Sequence, residues 1–141
     1  MIRKSATAEW AGGLKDGSGT IATESGALTA IPYSFATRFD GQKGSNPEEL
    51  VGAAHASCYA MFLSGLMGGA GLTGTTVSAT STITLDPATE GSPTVTAAHL
   101  TVRVTADAPE AVIRDLADKA KAGCPISKLL KAAITLEVTT G

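Results

Sequence analysis

Polar and apolar residues alternate along the first third of the chain. Ala6, Ala8 and Trp10 interleave with Ser5, Thr7 and Glu9, the period of two that a half-buried strand requires. Gly12-Gly13 and Asp16-Gly17 supply turn chemistry, and 18–24 then reads as a second strand. Ser25-Gly26 turns the chain again, so 28–33 reads as a third. Three short strands joined by turns predict an antiparallel meander. Residues 34–45 read as a loop carrying Arg38, Phe39 and Asp40. The pattern then changes. Asn46 is a good N-cap, Pro47 suits the first helical position and Glu49 completes a capping box. The helix is expected to run to about Met67, where glycines at 68, 69 and 71 end it. Alternation returns at Val77, Ala79, Ile83 and Leu85, and again at Leu100, Val102 and Val104. A second helix is expected from about Pro109 to Ala122, with Val112, Ile113, Leu116, Ala117 and Ala120 as its apolar stripe. Gly123 stops it, Pro125 restarts a short helix to about Leu130, and Ile134, Leu136 and Val138 make a final strand. The class is α+β.

The 141 residues fit a single domain, 1–141, large enough to bury a core without staples. Only 17% of residues are charged, which leaves little solvated surface and favours an oligomer. The net charge of −2 comes without a basic cluster, which argues against nucleic acid as a partner. Residues 1–9 lack the apolar run of a secretory signal, so the expected compartment is the cytoplasm. No Asp, Glu, Lys or Arg occurs between Glu49 and Asp86, and Leu50 to Leu72 is long enough to cross a bilayer. That stretch is rich in Gly, Ala and Ser, contains His55, and lacks flanking cationic and aromatic anchors. A buried core helix, with no membrane partner, is the better reading.

The chemistry-bearing residues are few. Cys58 falls mid-helix, where a cysteine commonly serves as a small core hydrophobe. Cys124 lies between a helix-ending Gly123 and a helix-starting Pro125, and the N–H groups of a helix start favour a thiolate. Filling a turn is the plainer alternative. His55 precedes Cys58 by three residues on the same helix face. A Cys–His nucleophile is one reading of that pair; packing or hydrogen bonding is the other, because no oxyanion-hole loop is evident and an i,i+3 pair on one helix leaves little room for a substrate. His99 sits on the polar side of its strand. Two Cys and two His match no zinc-site spacing, so no metal is expected. Taken singly, Arg38 reads as a surface charge and Glu48 as a residue suited to the first helical turn.

Together these residues carry a family pattern. Thr37-Arg38-Phe39, Gly44-Ser45-Asn46-Pro47-Glu48-Glu49-Leu50, Ala53-Ala54-His55-Ala56-Ser57-Cys58 and Ala120-Lys121-Ala122-Gly123-Cys124-Pro125-Ile126-Ser127-Lys128 resemble the OsmC branch of the OsmC/Ohr peroxidases. Trp10-Ala11-Gly12-Gly13 and Gly17-Ser18-Gly19-Thr20 fit it as well. The resemblance spans essentially the whole chain. It implies an OsmC-like fold of antiparallel sheets around a long buried central helix, in an intertwined homodimer. It implies a peroxidase that reduces organic hydroperoxides, and hydrogen peroxide, with no cofactor. By motif match Cys58 is the peroxide-attacking thiol, Cys124 the resolving thiol, Arg38 the active-site arginine and Glu48 its partner. A dithiol, lipoyl-type in the Ohr branch, is the implied reductant.

Elementary chemistry sets conditions on this reading. Burial raises a thiol's pKa, so Cys58 needs a cation, and Arg38 is the candidate the pattern offers. Glu48 can hold the guanidinium in place. Disulfide formation requires the two cysteine Cα atoms within about 7 Å. Glu48 and Cys58 stand ten residues apart on one helix, about 15 Å along its axis, so a site using both would draw Arg38 and Glu48 from the other subunit. Phe39, Tyr59, Met61 and Phe62 are candidates to line it. The competing readings are a non-enzymatic dimer that binds a small apolar ligand with inert cysteines, and a cysteine hydrolase using His55.

Overall fold

The computed structural model describes residues 1–88 and 91–141. Two compact units make up the chain, Met1–Leu50 and Val51–Gly141.

The first unit is the expected meander. Strands β1 (Ala6–Ala11), β2 (Ser18–Thr23) and β3 (Ile31–Tyr33) pair antiparallel in the order β1-β2-β3. Gly19 lies opposite Trp10 and Tyr33. A Cβ there would meet the Glu9 carbonyl oxygen and both rings, and its absence lets the rings approach to 5.3 Å between centroids. The third strand is shorter than expected. Leu28 is tied to Thr23 by two hydrogen bonds, and Ala30 adopts a φ of 48°, so pairing starts only at Ile31. The supposed loop at 34–45 contains a helix, α1 (Phe35–Phe39). Ser34 and Thr37 cap it reciprocally: Thr37 N–H donates to Ser34 Oγ, and Ser34 N–H to Thr37 Oγ1. A single turn carries no hydrophobic period, which is why the pattern does not disclose it. No residue among 1–50 is fully buried within the chain.

Helix α2 (Pro47–Gly69) starts where its caps require. Glu49 N–H donates to Asn46 Oδ1 at 2.8 Å, and Asn46 Nδ2 to Glu49 Oε2 at 2.6 Å. The glycines at 68 and 69 are taken into its last turn. Gly52, His55, Tyr59, Leu63 and Met67 recur every three or four residues and are buried. The opposite face stays open in the single chain, with Met61 79% exposed. Among the described residues α2 is the one helix long and apolar enough to cross a bilayer, but its buried stripe belongs to a protein core.

That core lies in the second unit. β4 (Thr76–Asp86), β5 (Thr94–Thr105) and β6 (Ala133–Thr140) form a sheet in the order β4-β5-β6. The central strand β5 buries Ala98, Leu100, Val102 and Val104. Leu100, Val102 and Val104 meet Tyr59, Leu63 and Met67 of α2 and Ile113, Leu116, Ala117 and Ala120 of α3 (Glu110–Gly123). Fully burying each Leu or Ile contributes about 1.5–3 kcal/mol. Val112, expected in the α3 stripe, is 39% exposed at the stripe's edge. One pairing departs from the antiparallel expectation: β5 and β6 run parallel. A parallel neighbour needs a crossover, and α3 with α4 (Pro125–Leu129) supplies it.

Candidate active site: a thiol pair beside an apolar hollow

Two local features bring the cysteines together. Cys58 lies on the flank of α2 beside buried Tyr59 and is half-buried. Cys124 is both the C-cap of α3 and the N-cap of α4, and it is fully buried. The close approach depends on Gly123. A Cβ at this position would lie 2.8 Å from the Phe62 ring of α2, so any side chain here would have to displace that ring. The two sulfurs stand 3.1 Å apart as free thiols, beyond the roughly 2.05 Å of a disulfide.

The two thiols are not equivalent. Cys58 lines an apolar hollow of roughly 370 Å³ with Met61, Phe62, Gly65, Leu66 and Pro125. Burial, and next the bond with Cys124, push the Cys58 thiol above its ordinary pKa; the Ile126 N–H offsets this in part. Among the described residues of the second unit no positive charge stands among the causes of this shift. Burial also raises Cys124, but the neighbouring Cys58 and the polar groups of Ser127 and Ile126 outweigh it and leave Cys124 lowered. Cys124 is thus the more acidic sulfur, and Cys58 the one a ligand can reach.

Arg38 and Glu48, in the first unit, form the expected pair. Arg38 Nη2 donates to Glu48 Oε1 at 2.8 Å and Nε donates to the same carboxylate at 3.1 Å. Glu48 is well shielded, its side chain 13% exposed, and the Arg38 guanidinium lies 5.3 Å from the Phe39 ring centroid. A fork held on both nitrogens by a carboxylate is aimed rather than free to wander. Arg38 and Phe39 border a hollow of roughly 250 Å³ with Trp10, Leu14, Tyr33, Ser34 and Phe35.

His55 does not serve Cys58. Its ring is fully buried, with Nδ1 2.7 Å from Ser81 Oγ and Nε2 2.9 Å from Ser127 Oγ. Both nitrogens are occupied, which removes the base a cysteine hydrolase would need. Of the four apolar candidates, Met61 and Phe62 line the hollow at Cys58. Tyr59 instead points into the core, where its hydroxyl donates to the Ala117 carbonyl at 3.0 Å. Phe39 stands beside Arg38. His99, expected on a solvated face, is half-exposed with Nδ1 2.6 Å from Thr135 Oγ1. Among the described residues no three His, Cys, Asp or Glu side chains converge as a metal would require. Ser127 is the site residue the sequence reading passes over. Its place three residues after an N-capping cysteine was the available signal.

The family model described as OsmC-like protein matches residues 40–139. The chain is 47% identical over 137 residues to the peroxiredoxin OsmC of Escherichia coli strain K12, covering 96% of this chain and 95% of that protein. The peroxiredoxin OsmC of Shigella flexneri matches to the same extent. Among solved structures, the organic hydroperoxide resistance protein OhrB of Bacillus subtilis superposes with a TM-score of 0.68 at 21% identity, covering 97% of this chain and 98% of that one. An OsmC-like protein from Mycoplasma pneumoniae gives 0.71 at 19% identity, covering 99% and 97%. These two likenesses extend to the fold. By the match over 40–139 and the near-full-length identity, this chain belongs to the OsmC family.

Proposed function

We propose that this protein is a thiol peroxidase that reduces organic hydroperoxides, and hydrogen peroxide, through Cys58 and Cys124. The observation that carries the reading is the pair of free sulfurs 3.1 Å apart, one of which lines an apolar hollow, in a chain whose relatives are peroxiredoxins by name. Accessibility supports one order. Cys58 meets the peroxide and Cys124, fully buried, resolves.

The Cys58 thiolate attacks the terminal oxygen of ROOH. An S–O bond forms, the O–O bond breaks, and the alkoxide leaves as ROH after taking a proton. Cys58 is then a sulfenic acid. Cys124 attacks that sulfur, the S–S bond forms and water departs. A dithiol reduces the disulfide by exchange and is itself oxidised. A lipoyl-type dithiol is the reductant of choice. The apolar lining of Met61, Phe62, Leu66 and Pro125 favours peroxides with a hydrocarbon body. A reducing cytoplasm, which keeps both thiols free between turnovers, suits the cycle.

Cys58 carries a raised pKa and needs a cation to ionise. Arg38, held by Glu48, is that cation, and a second copy of the chain delivers it. Three features support a homodimer: the open apolar face of α2, the unobstructed Gly65, Gly68 and Gly69, and an N-terminal sheet without a buried residue. Two α2 helices around a two-fold axis would form two equivalent sites.

Intact mass after one equivalent of cumene hydroperoxide tests the chemistry. Loss of two hydrogens from wild type, with gain of one oxygen instead in Cys124→Ser, is the expected result. An unchanged wild-type mass would sink the proposal.

A further inference from the structure

Arg38 and Glu48 belong to different helices, α1 and α2, yet three hydrogen bonds hold them face to face. A helix as short as α1 is not stable by itself, so it cannot aim a guanidinium unaided. Something must fix α1 against the start of α2, and the residues that connect them do so. Ser45 Oγ donates to the Pro32 carbonyl at 2.9 Å, and Ser45 bridges to Tyr33 as a parallel strand would. Gly44 has a φ of 151°, and a Cβ there would lie 2.7 Å from Thr37 Cγ2. The chain therefore passes directly against Thr37 on its way into α2.

Asn46 uses its whole side chain in this connection. Its Oδ1 accepts from the Glu49 N–H at 2.8 Å, the ordinary duty of an N-cap. Its Nδ2 has two protons to give. One goes to the Glu49 carboxylate at 2.6 Å and the other to the Thr37 carbonyl at 3.4 Å. The last of these goes beyond capping. The Thr37 carbonyl lies in the final turn of α1, where carbonyls lack a helical partner, and the next residue is Arg38. A serine would cap α2 about as well but would bring no N–H to that carbonyl. The bond to Glu49 matters too. Glu48 and Glu49 stand about 100° apart around α2. Asn46 turns the Glu49 carboxylate toward the cap and leaves Glu48 to meet the guanidinium.

We propose that Asn46 is a positioning residue for the peroxidase reaction: its carboxamide clasps the end of α1 to the start of α2 and so aims the Arg38 fork. This rests on the reading of Arg38 as the cation that activates Cys58. Asn46 takes no part in making or breaking bonds. A carboxamide neither gains nor loses a proton near neutral pH, so Asn46 acts only through where it puts Arg38. A cation's help to a thiolate weakens as the distance grows and as water enters between them. Loosening the clasp therefore leaves the charge in the protein but takes it off its target.

The test reads the oxidation of Cys58 alone. Reduced full-length protein is mixed rapidly with cumene hydroperoxide across a pH series and quenched with acid, and the remaining Cys58 thiol is counted by alkylation and peptide mass. The rate should climb as Cys58 ionises and then level off. In Asn46→Ser, which keeps an N-capping oxygen but loses the N–H to Thr37, the climb should move up by about one pH unit. That is a roughly tenfold loss of rate near neutrality, with the plateau at high pH close to wild type. The urea midpoint should stay near wild type, because the cap survives. Asn46→Thr, a second capping variant, should show the same displacement. Added to Arg38→Ala, Asn46→Ser should change the slow residual rate by less than about twofold. An unmoved profile in both Asn46 variants, beside a displaced one in Arg38→Ala, would overturn this proposal alone. So would a tenfold loss that persists without Arg38, since Asn46 would then act through something else. Arg38→Ala with the wild-type profile would instead remove the activating role of Arg38, and this inference with it.

Discussion

The first fifty residues and the remaining ninety-one are built on opposite terms. Val51–Gly141 encloses every fully buried residue described, on α2, β5, α3 and α4 and at Cys124 between the last two, and it carries both sulfurs. Met1–Leu50 forms a well-paired three-stranded sheet with no buried residue, yet it holds Arg38 and Glu48 in a bidentate pair. A lone three-stranded sheet without a core is marginal in water. The difference teaches that burial holds one part of this chain together, whereas strand pairing and side-chain hydrogen bonds hold the other. It also divides the candidate site residues: both sulfurs lie in one unit, and the Arg38–Glu48 pair lies in the other.

The largest expected effect tests where the reacting atom lies. Cys58→Ser should lower peroxide consumption by at least about a thousandfold, read with a dithiol reductant, and equal rates would return the ligand-binding reading to favour. Next is the direction of the arginine. Arg38→Ala and Cys58→Ser should each be nearly inactive alone. Mixed as equal amounts, unfolded and refolded together, they should recover about a quarter of wild-type activity. Half the dimers are then hybrid, and each hybrid has one intact site in two. No recovery would mean that each arginine serves its own chain.

Stability separates the two regions at a smaller scale. Leu63 is fully buried in the second unit, and Leu63→Ala should cost about 2–5 kcal/mol in urea unfolding. Ile21→Ala, on β2, should cost less in dilute protein, and its penalty should grow with protein concentration as a partner covers the sheet. A penalty independent of concentration would count against the dimer. The smallest effect is a pH dependence. Burial depresses the His55 pKa from 6.5, so below that value the unfolded chain takes up a proton that the folded chain refuses. Stability from this group is complete above about pH 6.5 and falls as the pH drops, by at most about 1.4 kcal/mol per pH unit. His55→Gln should flatten that slope in urea midpoints measured from pH 5 to 8.

Much of this architecture could be read from residues. The Asn46-Pro47-Glu48-Glu49 cap placed the start of α2 within a residue, because capping is a local hydrogen-bond pattern written in four side chains. Strand periods placed β1, β2, β4 and β6 nearly as well. The core of β5 was anticipated at Leu100–Val104, but the strand begins earlier, at Thr94, where Thr and Ala give little contrast. The α1 turn was hidden by its brevity, although Ser34 and Thr37 spelled its cap. The parallel register of β6 was a matter of topology, and a period of two is blind to strand direction. At the site, Cys124 was legible as an N-cap from Gly123 and Pro125. The meeting of Cys58 and Cys124 across 66 positions came only through family resemblance, since no local rule connects them. The turning of Tyr59 into the core and the capture of His55 by two serines are tertiary outcomes that neighbouring residues do not dictate.

The phenyl ring that fills the space over Gly123 has a mechanical consequence. With the α3 terminus seated against α2, the sulfurs already stand 3.1 Å apart before any oxidation, and bonding them asks for a travel of about 1 Å. No turn of helix has to melt to let the second thiol arrive. Closure should therefore proceed at the same pace in thick glycerol as in plain buffer, and crystals soaked in hydroperoxide should oxidise without cracking.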